Sequence, residues 1–171
     1  MWEANYANVK HMHWLHEQLC SLLPAMDITD ILRSEYVLIV SAFDCYVHDV
    51  VLEGMGKMFT LSKPSNKHYE DFNIPMSTVK QLMSASDQIT RDQIFYASIK
   101  RLLSKDSYQS PKSIEYAMGI LDVKKIWTEV SKKLGIPLED VRKKLGIVIQ
   151  RRNKIAHEAD IQDYVTMKKT L

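Results

Sequence analysis

The sequence predicts an all-α fold, a compact antiparallel bundle of about five to seven helices. Apolar residues recur at spacings of three and four along nearly the whole chain, and no stretch alternates apolar and polar residues between hairpin turns. The length of 171 residues, with 46% hydrophobic residues, is enough to form one hydrophobic core. We therefore expect a single domain spanning residues 1–171, without disulfides or a structural metal.

The N-terminal half contains two long predicted helices and a loop. The first helix covers about residues 3–23 and ends before Pro24. The second has apolar residues that step by three and four from Tyr36 to Met58, which is typical of a helix buried along one face. It should be the central helix of the bundle. Two prolines and several turn-forming residues predict a surface loop at about residues 61–75.

Capping signals locate the next helices. A short helix is expected near residues 76–86. Thr90 and Gln93 match a capping box, which predicts a helix from there to about Lys105. Ser110 followed by Pro111 predicts the start of another helix.

The last predicted elements follow from glycine and acidic residues. Gly119 can end the helix that starts at Ser110, and Asp122 should cap a further helix that ends at Gly135. Pro137 then begins the last long helix, which should reach about His157. A break at Gly146 is the alternative that the sequence leaves open.

Composition excludes several classes of protein. Five Gly, five Pro and two Cys exclude collagen-like, low-complexity and disulfide-framework chains. Cys20 and Cys45 fit a reducing cytoplasm, where we expect them to pack as small apolar residues. We take the aromatic side chains of Trp14, Trp127 and Phe43 as core. No signal-peptide pattern or clean apolar span is present, so we expect a cytoplasmic protein with no membrane partner.

The net charge of +2 hides an uneven distribution. Residues 121–157 contain ten Lys and Arg against four Asp and Glu, whereas residues 1–120 contain eleven against fourteen. Within the basic segment, Arg152 falls at about 20° on a helical projection from Val141, inside an apolar stripe that includes Leu145 and Ala156. A guanidinium group on a packed face is costly unless it has a partner. Asn153 and His157 project from one flank of that stripe.

The segment Arg-Asn-Lys-Ile-Ala-His-Glu, from Arg152 to Glu158, resembles the Arg-x4-His motif of the HEPN superfamily and is similar to its RiboL-PSP-HEPN branch. The segment from Ser41 to His48 on the second helix also resembles this family. The resemblance implies a HEPN-like bundle and a metal-independent endoribonuclease that cleaves single-stranded RNA. It also implies a homodimer, in which two motifs form one composite site, and no cofactor.

The resemblance also implies roles for individual residues. Arg152 would stabilise charge on the scissile phosphate, His157 would act as general acid or base, and Asn153 would orient the phosphate or the histidine. Asp44 and His48, four residues apart on the second helix, could pair with Arg152 or His157; a structural pair elsewhere or simple exposure is the alternative. The basic residues expected to contact RNA phosphates are Arg151, Lys154, Arg142 and Lys143.

Other interpretations remain open at this point. The last helix could be an ordinary solvated helix whose His157 only stabilises the helix C-terminus. The chain could be a catalytically inactive HEPN module that binds RNA or a protein partner, or a purely helical interaction domain. The spacing of His13, His16 and Glu17, with His11 nearby, would also permit a metal, but an ordinary surface helix is the simpler interpretation.

The family resemblance also suggests a biological role. A toxin or defence effector is one such role, with an antitoxin or another protein as regulator. Some HEPN toxins resemble Arg-x4-His-x-Tyr and are silenced by modification of the tyrosine. Here Ala159 stands at that position, which argues against this form of regulation, although Tyr164 lies nearby.

Overall fold

The fold is described from a computed structural model, which covers residues 2–158, 161–163 and 168–169. Within these residues the chain forms eight helices and two short strands. The helices are α1 (Trp2–Leu22), α2 (Thr29–Phe59), α3 (Lys67–Glu70), α4 (Met76–Ser84), α5 (Gln88–Leu103), α6 (Pro111–Ile120), α7 (Ile126–Leu134) and α8 (Leu138–Glu158). The strands are β1 (Ile161–Asp163) and β2 (Lys168–Lys169).

The predicted all-α class is confirmed. All seven helices expected from the sequence are present, and α3 is an additional single turn inside the predicted loop at residues 61–75. The strands β1 and β2 form an antiparallel pair, in which Ile161 is opposite Lys169. The sequence pattern did not predict this pair, because three and two residues are too few to show an alternation.

Contacts divide the chain into two compact units. One consists of residues up to Tyr46 together with residues from Arg142 onward, and the other is Val47–Val141. The expectation of one domain over residues 1–171 stays a prediction. No helix in the described part of the chain combines the length and apolarity needed to cross a bilayer.

The unit Val47–Val141 contains most of the buried apolar side chains. The second half of α2 contributes Val47, Val51, Met55 and Met58, which recur every three or four residues and are at most 2% exposed. Helices α5, α6 and α7 supply further buried residues, namely Phe95, Ile99, Leu103, Ile114, Ala117, Ile120 and Trp127. The prediction that Trp127 is a core residue is therefore confirmed.

The unit that contains the N-terminus buries fewer apolar side chains than the unit Val47–Val141. Helix α1 has no buried residue, and it contacts α2 through the ring pair Trp2–Tyr46, whose centroids are 5.5 Å apart. The prediction of Trp14 as a core residue is wrong, since it is 53% exposed. Cys20 and Cys45 are free and exposed, so their predicted packing is wrong as well. Helical spacing cannot show which apolar face a neighbouring element covers.

Two predicted helix boundaries are wrong for local reasons. Helix α5 is capped by Asp87, whose carboxylate accepts hydrogen bonds from the Thr90 backbone N–H at 2.8 Å and from its hydroxyl at 2.7 Å. Thr90 therefore lies in the first turn and is not the cap. Gly119 does not end α6, because the helix continues to Ile120 and buries that side chain to 1% exposure.

Asp122 does not cap α7. It has left-handed backbone with φ 61°, and its N–H donates to the carbonyl of Gly119 at 3.0 Å, so it belongs to the turn after α6. Helix α7 follows Lys125, which also has positive φ and provides no side-chain cap. Gly135 ends α7 in the left-handed conformation with φ 66°, as predicted.

Candidate active site

Helix α8 carries the predicted site as one continuous helix of 21 residues. Glu139 and Asp140 lie in its first turn and His157 in its last, so acidic residues are at the positive end of the helix dipole and a basic residue is at the negative end. Gly146 does not break α8, and no described atom lies within 4 Å of a Cβ built there. The phase inferred from the sequence therefore holds from Val141 to His157.

The half-buried side chain of Arg152 is held by a hydrogen bond at the tip of its guanidinium group. Its Nη1 donates a hydrogen bond to Oδ1 of Asn153 at 2.9 Å. Its Nε is buried and has no hydrogen-bond partner in the part of the chain that the structure describes. A buried donor left without an acceptor costs about 1–3 kcal/mol, so such a group calls for an explanation.

Side chains of adjacent helix residues point in different directions, so Arg152 must bend sideways to reach Asn153. The hydrogen bond therefore shows which way the Arg152 side chain turns. From its position on the stripe, the guanidinium of Arg152 bends towards the flank that holds Asn153. His157 is four residues after Asn153 and projects from that same flank. The bond therefore turns the cation towards the side of α8 that presents the imidazole.

His157 is exposed near the end of α8. Five residues along a regular helix separate it from Arg152 by about 140° of rotation and about 7.5 Å of rise. Ala156, which the sequence placed on the packed stripe, is exposed together with Asn153 and Lys154. The last turns of α8 thus present an accessible imidazole, with the guanidinium of Arg152 bonded to Asn153 one turn before it.

The four cations expected to contact RNA fall into two groups. Lys143 and Lys154 are exposed, and so is their neighbour Lys144. Arg142 and Arg151 are half-buried and interact within the protein. The two lysines are therefore the more accessible to a phosphate backbone.

Asp44 and His48 are half-buried on α2, each with interactions inside the protein. The His48 ring packs against the ring of Tyr108, with centroids 4.5 Å apart and planes inclined by 51°. This contact gives His48 a structural role. A role for either residue in positioning Arg152 or His157 stays a prediction.

The histidines of α1 form pairs with neighbouring side chains. His13 Nδ1 lies 3.2 Å from Oε2 of Glu35 and its Nε2 lies 3.8 Å from Oε1 of Glu17, while His16 Nε2 lies 3.5 Å from Sγ of Cys20. In the described residues, no three His, Cys, Asp or Glu side chains are grouped closely enough to hold a metal ion. These contacts fit the interpretation of α1 as an ordinary surface helix.

Comparison with known proteins identifies the family. Neither a curated protein nor a solved structure gives a match. A family model described as RiboL-PSP-HEPN matches residues 21–170, which is nearly the whole chain and leaves almost all of α1 outside. HEPN domains are commonly ribonucleases, so the match supports an RNase-like or RNA-related function. The chain belongs to the RiboL-PSP-HEPN family.

Proposed function

We propose that this protein is a metal-independent endoribonuclease that cleaves single-stranded RNA with Arg152 and His157. The observation that carries the proposal is the guanidinium of Arg152, which is held by a hydrogen bond to Asn153 within the segment that resembles the family's motif. A guanidinium held in this way can donate hydrogen bonds from its terminal nitrogens to a phosphate oxygen.

The proposed reaction uses the RNA's own 2′-hydroxyl. A base removes the 2′-OH proton, the 2′-oxygen attacks phosphorus, and the bond from phosphorus to the 5′-oxygen breaks. An acid returns a proton to the departing 5′-oxygen, so the products carry a 2′,3′-cyclic phosphate and a 5′-hydroxyl. Histidine exchanges protons near neutral pH, and arginine stabilises the charge on the phosphorane. Together they supply what the step requires, and no metal is needed.

Two copies complete the proposed site. The reaction needs a base and an acid on opposite sides of the phosphate, whereas one copy provides a single His157. A homodimer that places two α8 ends against one another would supply both imidazoles and both guanidinium groups. The exposure of Asn153, Ala156 and His157 at the end of α8 supports this arrangement, because a second copy could approach them. Lys143 and Lys154 would then contact flanking phosphates.

The first experiment measures cleavage of a fluorescent single-stranded oligoribonucleotide in the presence of EDTA. We expect His157→Ala to lower the rate by about 10²–10⁴-fold, as for loss of a general acid or base. Arg152→Ala should lower it by about 10²–10³-fold, as for loss of transition-state charge stabilisation.

Matched controls are available on other helices. His11→Ala and Arg91→Ala remove an exposed histidine from α1 and an exposed arginine from α5, and both should cleave like the wild type. Cleavage by His157→Ala at the wild-type rate would overturn the proposal. RNA binding that weakens with salt, without any cleavage, would instead support an inactive HEPN module.

A second experiment tests the composite site. Mixing wild-type protein with an excess of His157→Ala forms heterodimers that hold one imidazole instead of the two that the proposed reaction needs. With RNA in excess, cleavage per wild-type chain should therefore fall as the variant is added, with the dimer itself verified by light scattering. Unchanged cleavage per wild-type chain in a mixture of dimers would contradict a shared site.

A further inference from the structure

A polar groove runs along the hairpin formed by α4 and α5. Its volume is about 690 Å³, which is within the range of small-ligand sites. Seven of its eleven lining residues are Ser, Thr or Gln, three are Ala or Ile, and the last is Arg101. No carboxylate and no aromatic ring is among these described lining residues. The groove therefore offers many neutral hydrogen-bonding groups and one positive charge.

The groups in this groove are open to a ligand. The side chains of Gln81, Gln93 and Arg101 make no hydrogen bond or ion pair within the described residues, and all three are exposed. Arg101 lies in the last turn of α5, while Ser77 lies in the first turn of α4. Because the two helices form a tight hairpin, these ends lie at the same end of the groove.

The wall of the groove contains a buried hydroxyl pair. Thr78 and Ser98 are 2% and 7% exposed, and their hydroxyl oxygens are 2.8 Å apart. Two hydroxyl groups hold two protons, whereas the bond between them uses one. The second proton is left for another acceptor, and both residues line the groove.

We propose that the α4–α5 groove binds a sugar phosphate. The guanidinium of Arg101 holds the phosphate, and the amides of Gln81 and Gln93 exchange hydrogen bonds with the sugar hydroxyls. The hydroxyl pair of Thr78 and Ser98 donates to the ligand oxygen that enters deepest. A planar base would need a stacking surface, which the lining lacks. A ligand with several negative charges would need more positively charged side chains than Arg101 alone.

The same chemistry could come from a free sugar phosphate or from the backbone of an RNA chain. The proposal goes beyond the proposed function, and it stands if cleavage by Arg152 and His157 fails. Binding is therefore measured without cleavage, in His157→Ala protein. Calorimetry uses ribose 5-phosphate, inorganic phosphate and ribose, and fluorescence anisotropy uses a labelled single-stranded oligoribonucleotide.

We expect Arg101→Met and Gln81→Ala to weaken binding, with a loss of about tenfold or more for Arg101→Met because a charge-assisted contact disappears. Lys80→Met and Lys105→Met are matched controls, since both residues are exposed cations that do not line the groove. Both controls should bind like the parent protein. Circular dichroism confirms that each variant is folded.

The outcomes separate the two sources. Sensitivity of ribose 5-phosphate binding to both variants assigns the groove to a free sugar phosphate. If the two variants weaken binding of the oligoribonucleotide but not of ribose 5-phosphate, the groove is assigned to an RNA backbone. Either result supports the proposal. Affinity for inorganic phosphate equal to that for ribose 5-phosphate would overturn it, as would unchanged binding of both probes by Arg101→Met and Gln81→Ala.

Discussion

Two glycines on α2, Gly54 and Gly56, allow helix propensity to be separated from packing. Both lie in the interior of the same helix, so replacing either by Ala gains about 1 kcal/mol of helix propensity. A Cβ built at Gly56 meets no described atom within 4 Å. A Cβ built at Gly54 overlaps Cδ2 of Leu121, with Cδ1 and Cγ of the same side chain at 3.3 Å. Leu121 is only 7% exposed, so it has little room to move.

These contacts set the expected magnitudes. Gly56→Ala should raise the free energy of unfolding by about 0.5–1 kcal/mol. Gly54→Ala gains the same propensity but pays about 1–3 kcal/mol for overpacking, so it should be less stable than Gly56→Ala by that amount. For a chain of this length, each 1 kcal/mol shifts the melting temperature by about 2–4 °C. Thermal unfolding and urea unfolding, followed by circular dichroism, measure the difference.

A double-mutant cycle identifies the cause. Leu121→Ala removes the atoms that a Cβ at Gly54 would meet, so Gly54→Ala should cost much less in that background than in the wild type. The stability gained by Gly56→Ala should not depend on Leu121. Equal stabilities of Gly54→Ala and Gly56→Ala would refute the close approach of α2 to Leu121, as would absence of coupling in the cycle.

Further predictions concern caps, the last helix and the site. Hydrogen bonds from Thr90 hold the pKa of the Asp87 carboxyl below its ordinary value, so its stabilising effect is present at neutral pH and is lost as the pH falls through that lowered pKa. Asp87→Ala should therefore unfold at lower urea concentration than the wild type at neutral pH, and the difference should vanish in strong acid. Gly146→Ala should stabilise the protein by about 1 kcal/mol in urea unfolding, because nothing described obstructs the added methyl group; a loss of stability would contradict this. Asn153→Asp should lower RNA cleavage more than Asn153→Ala does, since a carboxylate would neutralise the guanidinium of Arg152 and repel the phosphate. Cleavage by Asn153→Asp at the wild-type rate would argue against phosphate binding by Arg152.

The fold was largely predictable because helix phase and most helix ends are local properties. Ser110 caps α6 through its own hydroxyl, Pro111 and Gly135 act through their backbone geometry, and the structure confirms all three at helix boundaries. The short helix α3 depends on distant contacts instead. Asn66 caps it by accepting from two backbone N–H groups, and its side-chain amide donates to the carbonyl of Ile120 at 2.7 Å. No pattern within residues 61–75 could reveal that bond.

In the candidate site, too, the local helix geometry was predictable from the sequence, whereas contacts that depend on the surroundings were not. The periodicity of α8 placed Arg152 on the packed stripe and Asn153 on the flank of His157, and the continuous helix through Gly146 preserves that phase. The direction of the guanidinium was not predictable in detail, because a long flexible side chain chooses its partner from the groups that its surroundings offer. The bond to Asn153 fixes this direction, and the buried Nε has no partner among the described residues. On the proposed mechanism, the guanidinium donates to the scissile phosphate and the second imidazole comes from another copy. The mixing experiment therefore tests the part of the site that a single chain does not contain.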